Sequence, residues 1–138
     1  MTKINAYLAF KGNCREAMTF YKACIGGELT MQTIVGSPIE ADCPPEMKNM
    51  ILHARLTKGE LSLLGSDMSE QGQSIVGNVL SLCLNCSSDE EVNRFFARLS
   101  EGGKITDPLS VKFWGATFGV LTDRYGIRWM LVYDKNQK

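Results

Sequence analysis

The feature that most constrains this chain is a duplication written in its helix punctuation, because a repeat decides the architecture before any single element is assigned. The first copy is announced by Asn13 as a helix cap with Glu16 three residues on. Ala17, Phe20, Tyr21 and Cys24 then recur at the i, i+3, i+4, i+7 spacing of one helix face, ahead of Gly26 and Gly27. In the second copy Ser88 is the cap, Glu91 completes a capping box, and Val92, Phe95, Phe96 and Leu99 form the same stripe ahead of Gly102 and Gly103. Counted from each cap, all four apolar offsets coincide.

The flanking segments repeat as well. An alternating stretch precedes each helix, residues 4–10 and 79–85, and the period of two reads as a half-buried strand. Each copy closes on a run that starts at Gly and stops at Asp, residues 59–67 and 126–134. Between helix and closing strand lie further β segments at 29–35, 50–56 and 114–122, so the unit is strand, helix, three strands. Residues 37–45 are a Pro-rich loop. The reading is an α+β fold within a single domain, 1–138. A first βαβββ unit spans 1–67, a linker 68–76, and a second βαβββ unit 77–134. One helix covers one side of its sheet, so two units must cooperate, and the expected product is a cleft-like mixed β-sheet with flanking helices and room for a ligand.

Composition narrows the partners. Fifteen basic and fifteen acidic residues cancel with no basic cluster, which leaves nothing to neutralise phosphates, so neither nucleic acid nor an anionic membrane is expected. No apolar run approaches the ~20 residues that cross a bilayer. The five cysteines are odd in number and no secretory segment follows Met1, which suits free thiols in the cytoplasm.

Several stretches, taken in order, resemble a known group. They are Ala6-Tyr7-Leu8-Ala9-Phe10, Gly12-Asn13-Cys14-Arg15-Glu16-Ala17, Phe20-Tyr21, Gly26-Gly27-Glu28-Leu29, His53-Ala54 and Gly65-Ser66-Asp67. Farther on come Phe113-Trp114-Gly115, Phe118-Gly119, and Thr122-Asp123-Arg124-Tyr125-Gly126 with Trp129. Together they resemble the PhnB-like proteins of the vicinal oxygen chelate superfamily, which includes glyoxalase I, extradiol dioxygenases and bleomycin resistance proteins. The resemblance implies a glyoxalase-like fold and a homodimer. It also brings a methyltransferase label for the group, but this chain has no Gly-rich strand-to-helix turn to cradle a nucleotide-like cofactor.

The resemblance also implies where a metal would sit in metal-dependent relatives, at two strand positions per unit. Here those positions are Ala6 and Leu63 in the first copy, Ser81 and Met130 in the second. Shifting the register by one brings in Asn5 or Tyr7, Ser62 or Leu64, Leu80 or Leu82, and Trp129 or Leu131. None offers an imidazole or a carboxylate, so no metal and no cofactor are expected. The spacing Cys83-Leu84-Asn85-Cys86 lacks a second pair and reads as a strand-to-loop turn.

Candidate ligand-binding residues are Tyr7, His53, Arg55, Asp67, Trp114, Phe118 and Trp129. In residues 50–56 the period of two puts Met50, Leu52, Ala54 and Leu56 on one face, and Ile51, His53 and Arg55 on the other. His53, the only histidine, is also the candidate catalytic group, since imidazole changes charge near neutral pH. A hydrogen-bonded structural histidine is the competing role. Asp67 is a candidate for a ligand hydroxyl or for capping the turn that follows, and the aromatics for walls of the cleft or filling of the core. The function expected is metal-independent binding of a small apolar or aromatic molecule. Alternatives are a lyase, isomerase or dioxygenase-type enzyme using His53 or an unrecognised metal site, a methyltransferase-like activity, or a dimeric module with a collapsed cleft.

Overall fold

The computed structural model describes residues 2–68 and 77–136. The first unit, residues 1–75, runs β1 (Ala6–Ala9), α1 (Cys14–Ile25), β2 (Glu28–Thr33), β3 (Ile51–Lys58) and β4 (Leu61–Ser66). The second, residues 76–138, runs β5 (Leu82–Asn85), α2 (Asp89–Leu99), β6 (Lys104–Val111), β7 (Thr117–Thr122) and β8 (Arg128–Tyr133). Each is a βαβββ unit. The expected linker, 68–76, lies outside the described residues from residue 69 on. No described helix is long and apolar enough to cross a membrane.

Both sheets have four strands and the same plan, ordered β1-β4-β3-β2 and β5-β8-β7-β6. In each, the first strand lies parallel to the last, β1 on β4 and β5 on β8, and the remaining neighbours are antiparallel. A parallel pair needs a long crossover, and the helix with the next two strands supplies it. The strand at 104–111 was not among the expected segments. Its pairing with β7 slips at two places and it carries Pro108, which an edge strand tolerates because its outer side needs no N–H donor.

The helices form because an apolar stripe must be covered. On α2 the buried residues are Val92, Phe95, Phe96 and Leu99, the expected stripe. On α1 they are Cys14, Ala17, Met18, Tyr21, Cys24 and Ile25, while Phe20 is only half-buried. Burying each large apolar side chain contributes roughly 1.5–3 kcal/mol. Packing is close where a glycine faces the helix. A Cβ on Gly65 would come within 3.2 Å of Met18 Sδ and of Phe10, and 3.3 Å of Cys14 Sγ; one on Gly119 would come within 2.7 Å of the Phe96 ring.

The two helix starts differ. The Glu91 N–H donates to Ser88 Oγ at 3.0 Å and the Glu91 carboxylate accepts from the Ser87 N–H at 2.9 Å, a capping box displaced by one residue. At α1 the Asn13 side chain makes no cap. The buried carboxylate of Asp67 accepts there instead, Oδ1 from the Gly12 and Cys14 N–H groups at 2.8 and 3.0 Å, and Oδ2 from the Ile51 N–H at 2.9 Å. A charged acceptor suits the positive end of a helix better than a neutral amide.

The alternation of β3 is interrupted. Gln32 pairs with His53, but Thr33 pairs with Ile51, so Leu52 is an extra residue. Ile51 therefore joins Ala54 and Leu56 among the fully buried residues, against the expectation that placed it with His53 and Arg55, and Leu52 is only half-buried.

Asn in place of Asp67 would set an amide donor against one of the three N–H groups, so Asp67→Asn is expected to lower stability by about 1–3 kcal/mol. A lower urea midpoint with an unchanged slope is the sign of that loss. A second expectation concerns Cys14, whose thiol is pushed up from its ordinary 9.0 to about 12, first by burial and then by the Asp67 charge. The folded chain thus keeps a proton that the unfolded chain releases above pH 9.0, so the stability this group contributes is fully present below that pH and is lost as the pH rises towards about 12. Denaturation curves across that range should decline less steeply for Cys14→Ala than for the parent.

Candidate functional site

Each helix covers one face of its sheet, and strand register names the residues on the other. In the first unit, Gly65 faces α1, and its partners Leu8 and Ala54 share that side. One residue along, Tyr7 pairs with Leu64, Leu64 with Arg55 and Arg55 with Thr30, a row across all four strands on the face away from the helix. His53, two residues from Arg55 and opposite Gln32, lies on the same face. Its ring stands 6.3 Å from that of Tyr7, tilted by 41°. Three of the expected site residues, Tyr7, His53 and Arg55, are thereby brought together. The side chain of Arg55 is exposed and makes no hydrogen bond or ion pair among the described residues.

In the second unit, Gly119 faces α2, so Phe118 and Val120 lie on the open side. Phe118 pairs with Val132 and Val132 with Asn85; Val120 pairs with Met130 and Met130 with Cys83. The turn before β7 carries Trp114, 53% exposed, which meets Phe118 edge-on at 6.0 Å, while Phe113, 98% exposed, meets Trp114 at 4.9 Å. Trp114 and Phe118 thus stand together beside an apolar open face.

Two expected residues are placed elsewhere. Trp129 is 3% exposed on the helix side of its sheet, and its indole N–H donates to Asp123 Oδ2 at 2.9 Å. The other oxygen of Asp123 accepts from the Tyr125 and Ile127 N–H groups at 2.8 and 3.0 Å, so Trp129 anchors the β7–β8 turn rather than facing a ligand. Asp67, 7% exposed, uses both oxygens on backbone N–H groups, and the segment it organises is the start of α1 rather than the turn that follows. Sequence reasoning gave no site role to Asp123, weighed Leu64 and Met130 only as metal-ligand positions, and passed over Val132. The alternation along β4 and β8 was the signal for the last three.

The same register tests a metal centre. Ala6 and Leu63 pair with each other but stand on the helix side, with Leu63 buried; Tyr7 and Leu64 are the open-face pair at that level. In the second unit Met130 is on the open face, opposite Cys83. These positions supply a phenol, aliphatic carbons, a thioether and a thiol. Among the described residues no three of His, Cys, Asp and Glu converge. This donor set does not fit the divalent cation of metal-dependent glyoxalase-like enzymes.

Comparison with known proteins follows the same lines. A family model described as 3-demethylubiquinone-9 3-methyltransferase matches residues 2–132. Protein YjdN of Escherichia coli (strain K12) is 31% identical, covering 97% of this chain and 97% of that protein. The structure of PA1353 from Pseudomonas aeruginosa is 39% identical with a TM-score of 0.82, covering 97% of this chain and 98% of that one. The PhnB protein from Bacillus cereus is 25% identical with a TM-score of 0.76, covering 96% and 99%. At 14% identity and a TM-score of 0.62, covering 95% and 98%, a glyoxalase/bleomycin resistance protein from Albidiferax ferrireducens T118 shares the fold. The chain belongs to the 3-demethylubiquinone-9 3-methyltransferase family, as a PhnB-like protein of the glyoxalase/bleomycin resistance fold.

Proposed function

We propose that the protein binds a small apolar or aromatic molecule on its open sheet faces and does so without a metal ion. The observation that carries this reading is the half-exposed Trp114, held edge-on to Phe118 beside a face of Val120, Met130 and Val132. A flat ligand covering about 150 Å² of such surface gains about 4 kcal/mol, which alone corresponds to a dissociation constant of about 1 mM. Tighter binding therefore needs polar contacts besides this apolar area.

The family name points to methyl transfer, yet the two strand-to-helix turns, residues 10–13 and 86–88, contain one glycine and none. They lack the backbone cradle that a nucleotide-like cofactor requires. A second reading, an isomerase, lyase or dioxygenase-type enzyme, is favoured by the placement of His53 beside Tyr7, where an imidazole and a phenol share one face for proton transfer. The free thiols Cys14, Cys24, Cys43, Cys83 and Cys86 support a reducing, cytoplasmic setting, and the family resemblance supports a homodimer.

Calorimetric titration of chelator-treated protein with 2-naphthamide, together with elemental analysis, tests the reading. Saturable binding that ignores added zinc or nickel, weakens about tenfold in Trp114→Ala, and accompanies no stoichiometric metal is the expected result. One tightly held metal per chain, with binding lost on chelation, would overturn it. Once a turned-over substrate is in hand, a loss of about 100-fold or more in rate for His53→Ala would move the protein to the enzyme reading.

A further inference from the structure

The two open faces are not alike, and the difference bears on the class of ligand. In the second unit the rows of the open face are Asn85, Val132, Phe118 and Ser110, then Cys83, Met130, Val120 and Asp107: apolar on the two inner strands, with the Asp107 carboxylate at the edge already paired to Lys112 at 3.1 Å. In the first unit the corresponding rows hold Tyr7, Leu64, Arg55 and Thr30, then His53 with Gln32. Arg55 stands on β3, an interior strand of its sheet, and among the described residues it meets no carboxylate within ion-pair distance. The acidic residue on that face is Glu28, paired with Thr57 one row away on the edge strand β2. An exposed guanidinium on the interior of a sheet face, beside an imidazole and a phenol that can both donate, gathers donors where the described residues give Arg55 no ion pair.

We infer that the first unit's open face recognises an anionic group, so that the bound molecule is an aromatic or unsaturated carboxylate or a comparable small oxyanion. The inference rests on the binding reading proposed above and adds the charge of the ligand. Arg55 supplies the fixed positive charge and, for a planar carboxylate, two parallel N–H donors. Tyr7 in the same row and His53 in the neighbouring one, with rings 6.3 Å apart, border the patch and add donors. Leu64, between Tyr7 and Arg55, gives the apolar floor against which an unsaturated body lies.

Two probes of one shape and different charge test this. Calorimetric titration with 2-naphthoate and 2-naphthamide should show the anion binding about tenfold tighter at low salt, and the advantage should shrink as sodium chloride is raised. In Arg55→Gln the ratio of the two affinities should fall towards one, and Arg55→Lys should restore part of it. Arg55 is exposed, so neither variant opens the core, and far-UV circular dichroism checks that both are folded. Arg94→Gln, on the exposed side of α2, should keep the parent ratio and so exclude a general charge effect. Amide chemical-shift changes with 2-naphthoate should centre on residues 7, 30, 53 and 55. Equal affinities for the two probes, or a preference that survives Arg55→Gln, would overturn the anion assignment while leaving the binding reading intact. Failure of both probes to bind would remove the binding reading and this inference together.

Discussion

The carboxylate of Asp67 ties together three pieces of backbone that lie far apart in the chain. Its oxygens take the N–H groups of Gly12 and Cys14 at the entry to α1 and of Ile51 at the start of β3, while its own N–H donates to the Ile51 carbonyl at 2.9 Å. The Cys14 and Ile51 donors are buried, and an unmatched buried donor costs about 1–3 kcal/mol. This one side chain thus fixes the entry of α1 to the ends of β3 and β4, while the buried apolar residues of the strands decide which face the helix covers. The glycine two residues earlier, Gly65, completes the arrangement by letting Met18 and Cys14 approach the strand.

The second unit reaches the same topology by different means. Its helix is capped locally by Ser88, and its buried carboxylate, Asp123, serves the β7–β8 turn and the indole of Trp129. Asp134, which matches Asp67 by position at the end of the closing strand, accepts a local bond from the Asn136 N–H and, among the described residues, no other. The duplication thus conserves the plan of the backbone and leaves the polar anchors free to differ. The open faces have diverged in the same way, one carrying Arg55, His53 and Tyr7, the other an apolar surface with Trp114 at its border.

This divergence matters for function because the fold is shared by enzymes and by binding proteins, and only side chains on the open faces distinguish them. A metal centre demands imidazole or carboxylate donors, and the register presents Tyr7 and Leu64 on the open face of the first sheet and Cys83 and Met130 on that of the second instead. What those faces do present is aromatic area with a few hydrogen-bond donors. The proposed binding of a flat molecule rests on that pairing of apolar area with a small number of polar groups.

Local patterns were legible in the chain itself. The stripes ending at Cys24 and Leu99, the capping box of Ser88, the glycine pairs after each helix and the period of two in the closing strands depend on residues within a few positions of one another, so the βαβββ repeat could be read directly. That His53 and Arg55 share one face could be read because alternation along a strand assigns a face. Tertiary structure decided the rest. Nothing local shows that Leu52 is an extra residue which turns Ile51 inward, that an edge strand would accept Pro108, or that Trp129 finds its partner in Asp123 on the covered side. Asp67 and Ile51 are sixteen residues apart in the chain, and which donors a buried carboxylate meets is settled only when packing brings distant backbone together.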